Sequence, residues 1–276
     1  MRIQQIESDI YILTGAHLDS NSTVIVNDDE ALLIDAMARL SDAEELRRFV
    51  EEELKKRVSF IVCTHFFSDH LAALRVFEDA RVIAHQNYDH TFAAEKFRTE
   101  EEKANFAEPD ILINEGLRMR WGRHDLDIFY NPGHTMSTIN IDIPQADLLM
   151  VGDNIVGRLV YLYYSTPRLA KTALERLRRR GRGRIVEGHE GLRGGETVDH
   201  ALHYLNQLSE HVHRARLSTR GDETIQEIDL DECLADGIEG TDFEHVFHKR
   251  NLQTIIERGL FVEGASFALE HASIRD

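Results

Sequence analysis

Four times along this chain an apolar run stops and a short polar segment carrying histidine or aspartate takes over at once. Val58 to Cys63 gives way to Thr64-His-Phe-Phe-Ser-Asp-His70. Leu126 to Tyr130 runs into Pro132-Gly-His134-Thr, Leu148 to Val151 into Gly152-Asp153-Asn154, and Ile185-Val186 into Glu187-Gly-His189-Glu190. Short β-branched and apolar runs bounded in this way read as strands. Strand ends are where a fold can aim several side chains at one point, and the glycines let backbone turn sharply beside them. Together the four loops offer His65, Asp69, His70, His134, Asp153 and His189, a mixture of imidazoles and carboxylates that suits zinc, iron or manganese.

The rest of the pattern says how those ends are carried. Ile3, Ile6, Ile10 and Ile12, then Thr23 to Val26 and Leu32 to Ile34, are short runs broken by Asp, Asn and Gly, which predicts an antiparallel meander. Ser41 with Glu44 has the form of a capping box ahead of Ala43, Leu46, Phe49, Val50 and Leu54 at helical spacing. Leu71 to Phe77 reads as the start of another helix and Ala80 to Ala84 as a strand. Residues 88–106 are polar and helix-prone. Ile111 to Ile113, Leu126 to Tyr130, Ile139 to Ile143 and Leu148 to Val151 form a second set of strands, followed by a helix over Leu169 to Arg180. Strands followed by alternating helix and strand thus occur twice, and two such halves packed sheet to sheet give an α/β fold, a four-layer αββα sandwich.

After Gly195 the pattern turns helical. Val198, Ala201, Leu202, Leu205, Leu208 and Val212 keep the 3.6-residue period, and a further helix begins at Phe243, Val246 and Phe247 behind Thr241-Asp242. The expected division is a catalytic domain over residues 1–195 and a helical extension over 196–276. The extension's apolar stripe is expected to be buried on the core or across a homodimer interface.

Composition narrows the partners. Against 32 Lys and Arg stand 49 Asp and Glu, a formal charge of -17, which repels phosphate backbones and anionic lipid headgroups and argues against nucleic acid and membrane. No apolar run approaches the roughly 20 residues of a membrane span, and the opening MRIQQIESDIYIL lacks the form of a signal peptide, so a cytoplasmic location is expected. Cys63 and Cys233 lie too far apart in sequence for a thiolate zinc knuckle, which leaves any metal to His and carboxylate.

The order and spacing of the four loops resemble the metallo-β-lactamase superfamily, with its H-x-H-x-D-H, P-G-H-T, G-D and G-H motifs. The resemblance covers roughly residues 1–195 and includes Leu33-Ile-Asp35, which looks like the acidic residue behind the metal loops. It implies the αββα fold and one or two metals between the sheets. Phe67 stands where the second motif histidine belongs, leaving His65, His134 and Asp153 in the first site. The second site, Asp69, His70 and His189 with Asp153 as bridge, matches in full and is the better zinc candidate. The resemblance also implies that Asp69 orients a water and handles its proton, with Asp35 fixing a ligand histidine.

The function expected is hydrolysis, through a metal-bound hydroxide, of an ester, thioester, lactone or amide of a small metabolite. Zinc is the expected cofactor, one ion tightly held and a second weaker, with iron or manganese as alternatives. Two histidines and one carboxylate are also the ligand set of mononuclear iron oxygenases. Persulfide dioxygenases of the same superfamily resemble it at those positions, so an iron oxygenase is the alternative. A catalytically silent interaction protein is the third reading. His17 is a candidate for the missing ligand, and Tyr161, Tyr163 and Tyr164 are candidates for the substrate pocket beside Phe67. The basic run of Arg176, Arg178, Arg179, Arg180, Arg182 and Arg184 reads either as a complement to a helix C-terminus or as an anion-capture site. His85, His90, His200, His203, His211 and His213 are expected on polar surfaces.

Overall fold

Period-two alternation and β-branched runs make two sheets. In the computed structural model, which describes residues 1–96 and 98–262, the first sheet carries β1 (Arg2–Glu7), β2 (Ile10–Thr14), β3 (Asn21–Asn27), β4 (Glu30–Ile34), β5 (Arg57–Val62), β6 (Arg81–His85) and β7 (Ile111–Ile113) side by side in that order. Its first four strands are an antiparallel meander, and β4 through β7 are parallel. The second sheet runs β13 (Leu192–Gly194), β12 (Arg184–Glu187), β11 (Leu148–Gly152), β10 (Ile139–Ile143), β9 (His124–Tyr130) and β8 (Gly116–Trp121). Only β11 and β12 pair in parallel there.

The inner faces of both sheets share one apolar layer, with Ile12, Ile25, Leu32 and Val62 meeting Ile128, Ile141, Leu148 and Met150. On the outer face of the first sheet, Val24, Leu33 and Ile61 are covered by Leu46 of α1 (Leu40–Arg48) and by Leu71 and Leu74. On the second sheet, Leu149, Val151 and Ile185 are covered by α4 (Pro167–Arg180) and α5 (Thr197–Leu217). This is the four-layer αββα order. Smaller helices are α2 (Tyr88–Ala94), α3 (Glu100–Lys103) and α6 (Asp222–Gln226), and α7 (Asp242–Arg258) ends the described chain. Residues 263–276 of the expected extension lie outside the described residues.

Several local expectations are corrected. Ser41 does not cap α1: the N-cap is Arg39, Ser41 falls inside the first turn, and no side chain caps the helix. Leu71 to Phe77 does not form an α-helix. The segment makes one 3-10 turn, Ala72–Arg75, just after another at Ser68–His70, because the amides of Ala72 and Ala73 bond to the carbonyls of Met37 and Ala36 on the neighbouring loop rather than continuing a helix. The polar stretch 88–106 holds only α2 and α3.

The stripe Val198, Leu202, Leu205, Leu208 and Val212 is covered inside the chain by the second sheet, α4 and α7. Its burial therefore requires no second copy, and of the two expected modes it is burial on the core that covers this stripe. Four arginines of the basic run are engaged in structure. Arg180 and Arg182 both pair with buried Asp142, Arg184 with Glu7, and Arg176 donates to the Tyr130 carbonyl. Arg180, Arg182 and Arg184 thus neutralise carboxylates, which is a structural use of this part of the run.

Candidate metal centre

The C-terminal ends of β4, β5, β11 and β12 lie on one edge of the sandwich, and there the two sheets bond to each other. Ile139 donates to the Thr64 carbonyl at 2.7 Å and Asn21 to that of Gly188 at 2.8 Å, while within the second sheet Gly188 donates to that of Gly152 at 3.1 Å. Two motif glycines are needed for this approach. Gly152 sits at φ +50°, where a Cβ would come 2.6 Å from Thr64 Oγ1, and a Cβ on Gly188 would overlap Asp153 Oδ1. Only glycine lets the strand ends close to this distance.

The six expected donors converge in two groups, His65 with His134 and Asp153, and Asp69 with His70 and His189; within each, one atom per residue lies within 4.8 Å of the others. Asp153 joins them. Its Oδ2 is 3.9 Å from His65 Nε2, 3.9 Å from His134 Nε2 and 3.4 Å from His189 Nε2, while Oδ1 is 3.5 Å from His70 Nε2. Asp69 stands 3.8 Å from His70 Nε2 and 3.7 Å from His189 Nε2. Ligand atoms at about 2.0 Å in a tetrahedron are roughly 3.3 Å apart, so this spacing leaves room for a cation. Buried polar atoms ordinarily find partners, yet His65 Nε2, His70 Nε2 and Asp153 Oδ1 have none. The residues fit a metal.

Backbone and hydroxyl groups behind the site turn the imidazoles. His189 Nδ1 faces the Leu18 carbonyl at 2.8 Å; the carbonyl can only accept, so Nδ1 carries the proton and Nε2 offers a lone pair to the site. Thr64 Oγ1 donates to Asp35 Oδ2 at 2.7 Å and lies 3.1 Å from His65 Nδ1. Its only proton is thus committed, and the His65 Nδ1–H donates to it. Asp35 also takes the Thr64 amide at 2.7 Å and stands 3.5 Å from His70 Nδ1. Its backbone is left-handed, φ 58°, which for aspartate is tolerated where packing demands it. Thr64 was not singled out from the sequence, although it opens the first motif.

The carboxylates set the charge balance of the imidazoles. Burial opposes the charged form of His70, but Asp69 and Asp153 outweigh it and hold its pKa well above the ordinary value. His189 is raised in the same way, against burial, by Asp153. Asp153 itself, despite burial, is held well below the usual range by His189 and His70. Burial depresses His65 and His134, which stay neutral. The carboxylates Asp69 and Asp153 thus favour positive charge at His70 and His189, as they would favour a cation between them.

Phe67 is buried, its ring 5.3 Å from His65, 5.4 Å from His134 and 4.6 Å from Tyr164. It thus faces the first group, where the motif spacing put it. Tyr161 stacks 6.1 Å from His134. His17 joins neither group: it is half-buried, and its amide donates to Asp42. Two further contributors were not legible. Glu95 accepts the amide and hydroxyl of Ser68 at 3.0 and 2.7 Å and so pins the first loop. Phe243 of α7 lies 6.1 Å from His189. His85 stacks on Tyr130 away from the donors.

Residues 15–208 match the family model described as Metallo-beta-lactamase superfamily, and the chain belongs to that superfamily. Two curated proteins named metallo-beta-lactamase type 2, from Bacillus cereus and Bacillus sp. (strain 170), are each 24% identical over 157 residues, 54% of this chain and 59% and 58% of theirs. The chain thus spans less than two thirds of the length of those relatives. A metallo-beta-lactamase structure from Pontibacter korlensis matches with TM-score 0.63 and 19% identity over 74% of this chain and 98% of that one. A stereoselective inverting sec-alkylsulfatase from Pseudomonas sp. matches with TM-score 0.71 and 14% identity over 99% of this chain and 52% of that one. At such identities the structural likenesses establish the fold. Superfamily membership together with the two donor groups supports metal-dependent, hydrolase-type chemistry. No described helix is long and apolar enough to cross a membrane.

Proposed function

We propose that the protein is a metal-dependent hydrolase acting on an ester, thioester, lactone or amide of a small metabolite. The observation that carries this reading is the convergence of six donors on one strand edge with His65 Nε2, His70 Nε2 and Asp153 Oδ1 buried and unpartnered. His65, His134 and Asp153 would hold one ion, and Asp69, His70 and His189 the other, with Asp153 shared. A bound divalent ion lowers the pKa of water from about 15.7 to roughly 7 and polarises a carbonyl. Asp69, with 24% of its side chain exposed against 9% for Asp153, reaches the open side and is the group placed to take a proton from water and return it to the leaving group. Thr64, Asp35 and the Leu18 carbonyl keep the imidazoles turned inwards. Zinc is the proposed metal, tighter in the group that lacks no motif residue.

The test is turnover of an ester, thioester, lactone and amide panel by protein loaded separately with zinc, manganese and iron. Hydrolysis of at least one class, lost on chelation, is expected. No hydrolysis with any of the three metals would remove the reading. One observation favours a second reading: His65, His134 and Asp153 form a self-contained set of two imidazoles and one carboxylate, as in mononuclear iron oxygenases. Oxygen consumption by the iron-loaded protein without hydrolysis would select it.

Phe67→His separates the two. The Phe67 ring already faces both His65 and His134, so a histidine there adds an imidazole to the first group. Metal content should rise towards two per chain. Hydrolysis should hold or increase, whereas oxygen consumption should fall because the added ligand occupies a coordination position. Unchanged metal stoichiometry would show that residue 67 does not reach the ion.

A further inference from the structure

The helix that ends the described chain takes part in the site. Beside the donor groups lies a cleft of about 570 Å³ whose walls include Tyr161, Tyr163 and Tyr164 from the loop after Asp153 and Arg250 from α7. An aromatic surface leads from the donors into it. Phe67 packs 4.6 Å from Tyr164, Tyr161 stacks 6.1 Å from His134, and Phe247 of α7 meets Tyr161 edge-on at 5.0 Å. At the outer end the Arg250 guanidinium lies 5.4 Å from the centre of the Phe247 ring. It also faces the Tyr161 hydroxyl, whose pKa burial raises and Arg250 draws back.

This wall is held rigidly. The buried Asn251 accepts the Leu162 amide at 2.8 Å and donates to the Val160 carbonyl at 2.7 Å. Glu244 takes both the amide and the guanidinium of Arg158 at 2.8 Å. Arg258 donates to the carbonyls of Leu162, Tyr163 and Ser165. The backbone of α7 that carries Arg250 is therefore fixed relative to the tyrosines before any ligand arrives, which lowers the ordering cost of binding.

Arg250 stands exposed at the rim of the cleft and has no carboxylate within ion-pair distance among the described residues, whereas the half-buried Arg180, Arg182 and Arg193 are each paired. Two carboxylates share the cleft wall, but both have donors: Glu95 takes two from Ser68, and Glu257 takes the Gln253 amide at 2.7 Å. The Arg250 guanidinium, which lies beside the Phe247 ring and the Tyr161 hydroxyl but pairs with no carboxylate among the described residues, keeps N–H groups of its planar fork free to match a carboxylate.

We infer that Arg250 is a substrate-recognition residue and that the substrate carries a carboxylate on an apolar body, the body lying along Phe67, Tyr164, Tyr161 and Phe247. This inference rests on the proposed hydrolase reading for which end of the substrate reacts, though its binding test does not need turnover. The probes are phenylacetate, phenylpropanoate and phenylbutanoate, each against its primary amide, titrated calorimetrically into the metal-loaded protein. For the member of best reach, the carboxylate should bind roughly tenfold tighter than the amide, the size of one charge-assisted hydrogen-bonded contact. Arg250→Gln should abolish the preference by weakening carboxylate binding roughly tenfold more than amide binding, and Arg250→Lys should keep part of the preference. No preference in the native protein would overturn the inference. So would a preference that survives Arg250→Gln, which would put the carboxylate on the cation of the donor groups. Failure of the hydrolase reading would appear separately, as absence of turnover on the ester, thioester, lactone and amide panel.

Discussion

Asp153→Asn is expected to lower metal-dependent turnover by about three orders of magnitude or more, corresponding to roughly 4 kcal/mol of lost transition-state stabilisation. The reason is geometric. Asp153 alone belongs to both donor groups, with Oδ2 facing His65, His134 and His189 and Oδ1 facing His70. An asparagine keeps the shape but removes the charge that draws a cation to either group, so metal content should drop together with rate. Asp69→Asn makes the instructive comparison. It leaves His65, His134 and Asp153 complete but takes a carboxylate from the group expected to hold the tighter ion, so metal content should fall with rate there too, the weaker first group alone retaining its donors. Steady-state kinetics and elemental analysis on the same preparations check both, and an Asp153→Asn protein with native metal content would count against the bridge.

The second large effect is stabilisation by metal, and it depends on pH in a direction the site dictates. His70 and His189 have folded pKa values raised above the ordinary one, chiefly because Asp69 and Asp153 overcome the cost of burial. Their protonation stabilises the metal-free fold. That contribution is fully present below the unfolded value of about 6.5 and is lost as pH rises through the raised folded values. As metal ligands the same two imidazoles must be neutral, so binding expels their protons and strengthens with pH. His65 and His134, depressed by burial, are already neutral across this window. The gain in stability on saturation with zinc should therefore widen from about pH 6 to about pH 8.5, reaching about 4 kcal/mol when free metal exceeds Kd a thousandfold. Thermal denaturation with and without metal reads this gap, and a gap that narrows with rising pH would contradict the charge distribution described.

The site was legible in the sequence because each donor sits one to several residues beyond an apolar strand run, so that motif order and strand ends said the same thing. Strand β8 (Gly116–Trp121) was not anticipated although Leu117, Met119 and Trp121 alternate with Arg118 and Arg120, the period of a half-buried strand. The Ser41 and Glu44 pattern suggested a cap that tertiary packing displaced, since Asp42 is drawn to the amide of His17. Contacts between segments distant in sequence left no local signal. Thr64 gains its role only because Asp35 arrives from another strand. Phe243, Phe247 and Arg250 sit on a helix whose capping box, Thr241 with Glu244, was visible as a start. Helical periodicity says that such a face is buried but not what it is buried against, so α7 as a wall of the site emerged only with the fold.

The central claim is that these six residues hold metal, and elemental analysis of protein purified without added metal or chelator tests it most directly. The account predicts about one tightly held transition metal per chain, zinc in the hydrolase reading, with a second ion weaker because Phe67 supplies no ligand. Wild-type protein without stoichiometric metal, and unable to take up zinc, manganese or iron with better than micromolar affinity, would contradict it.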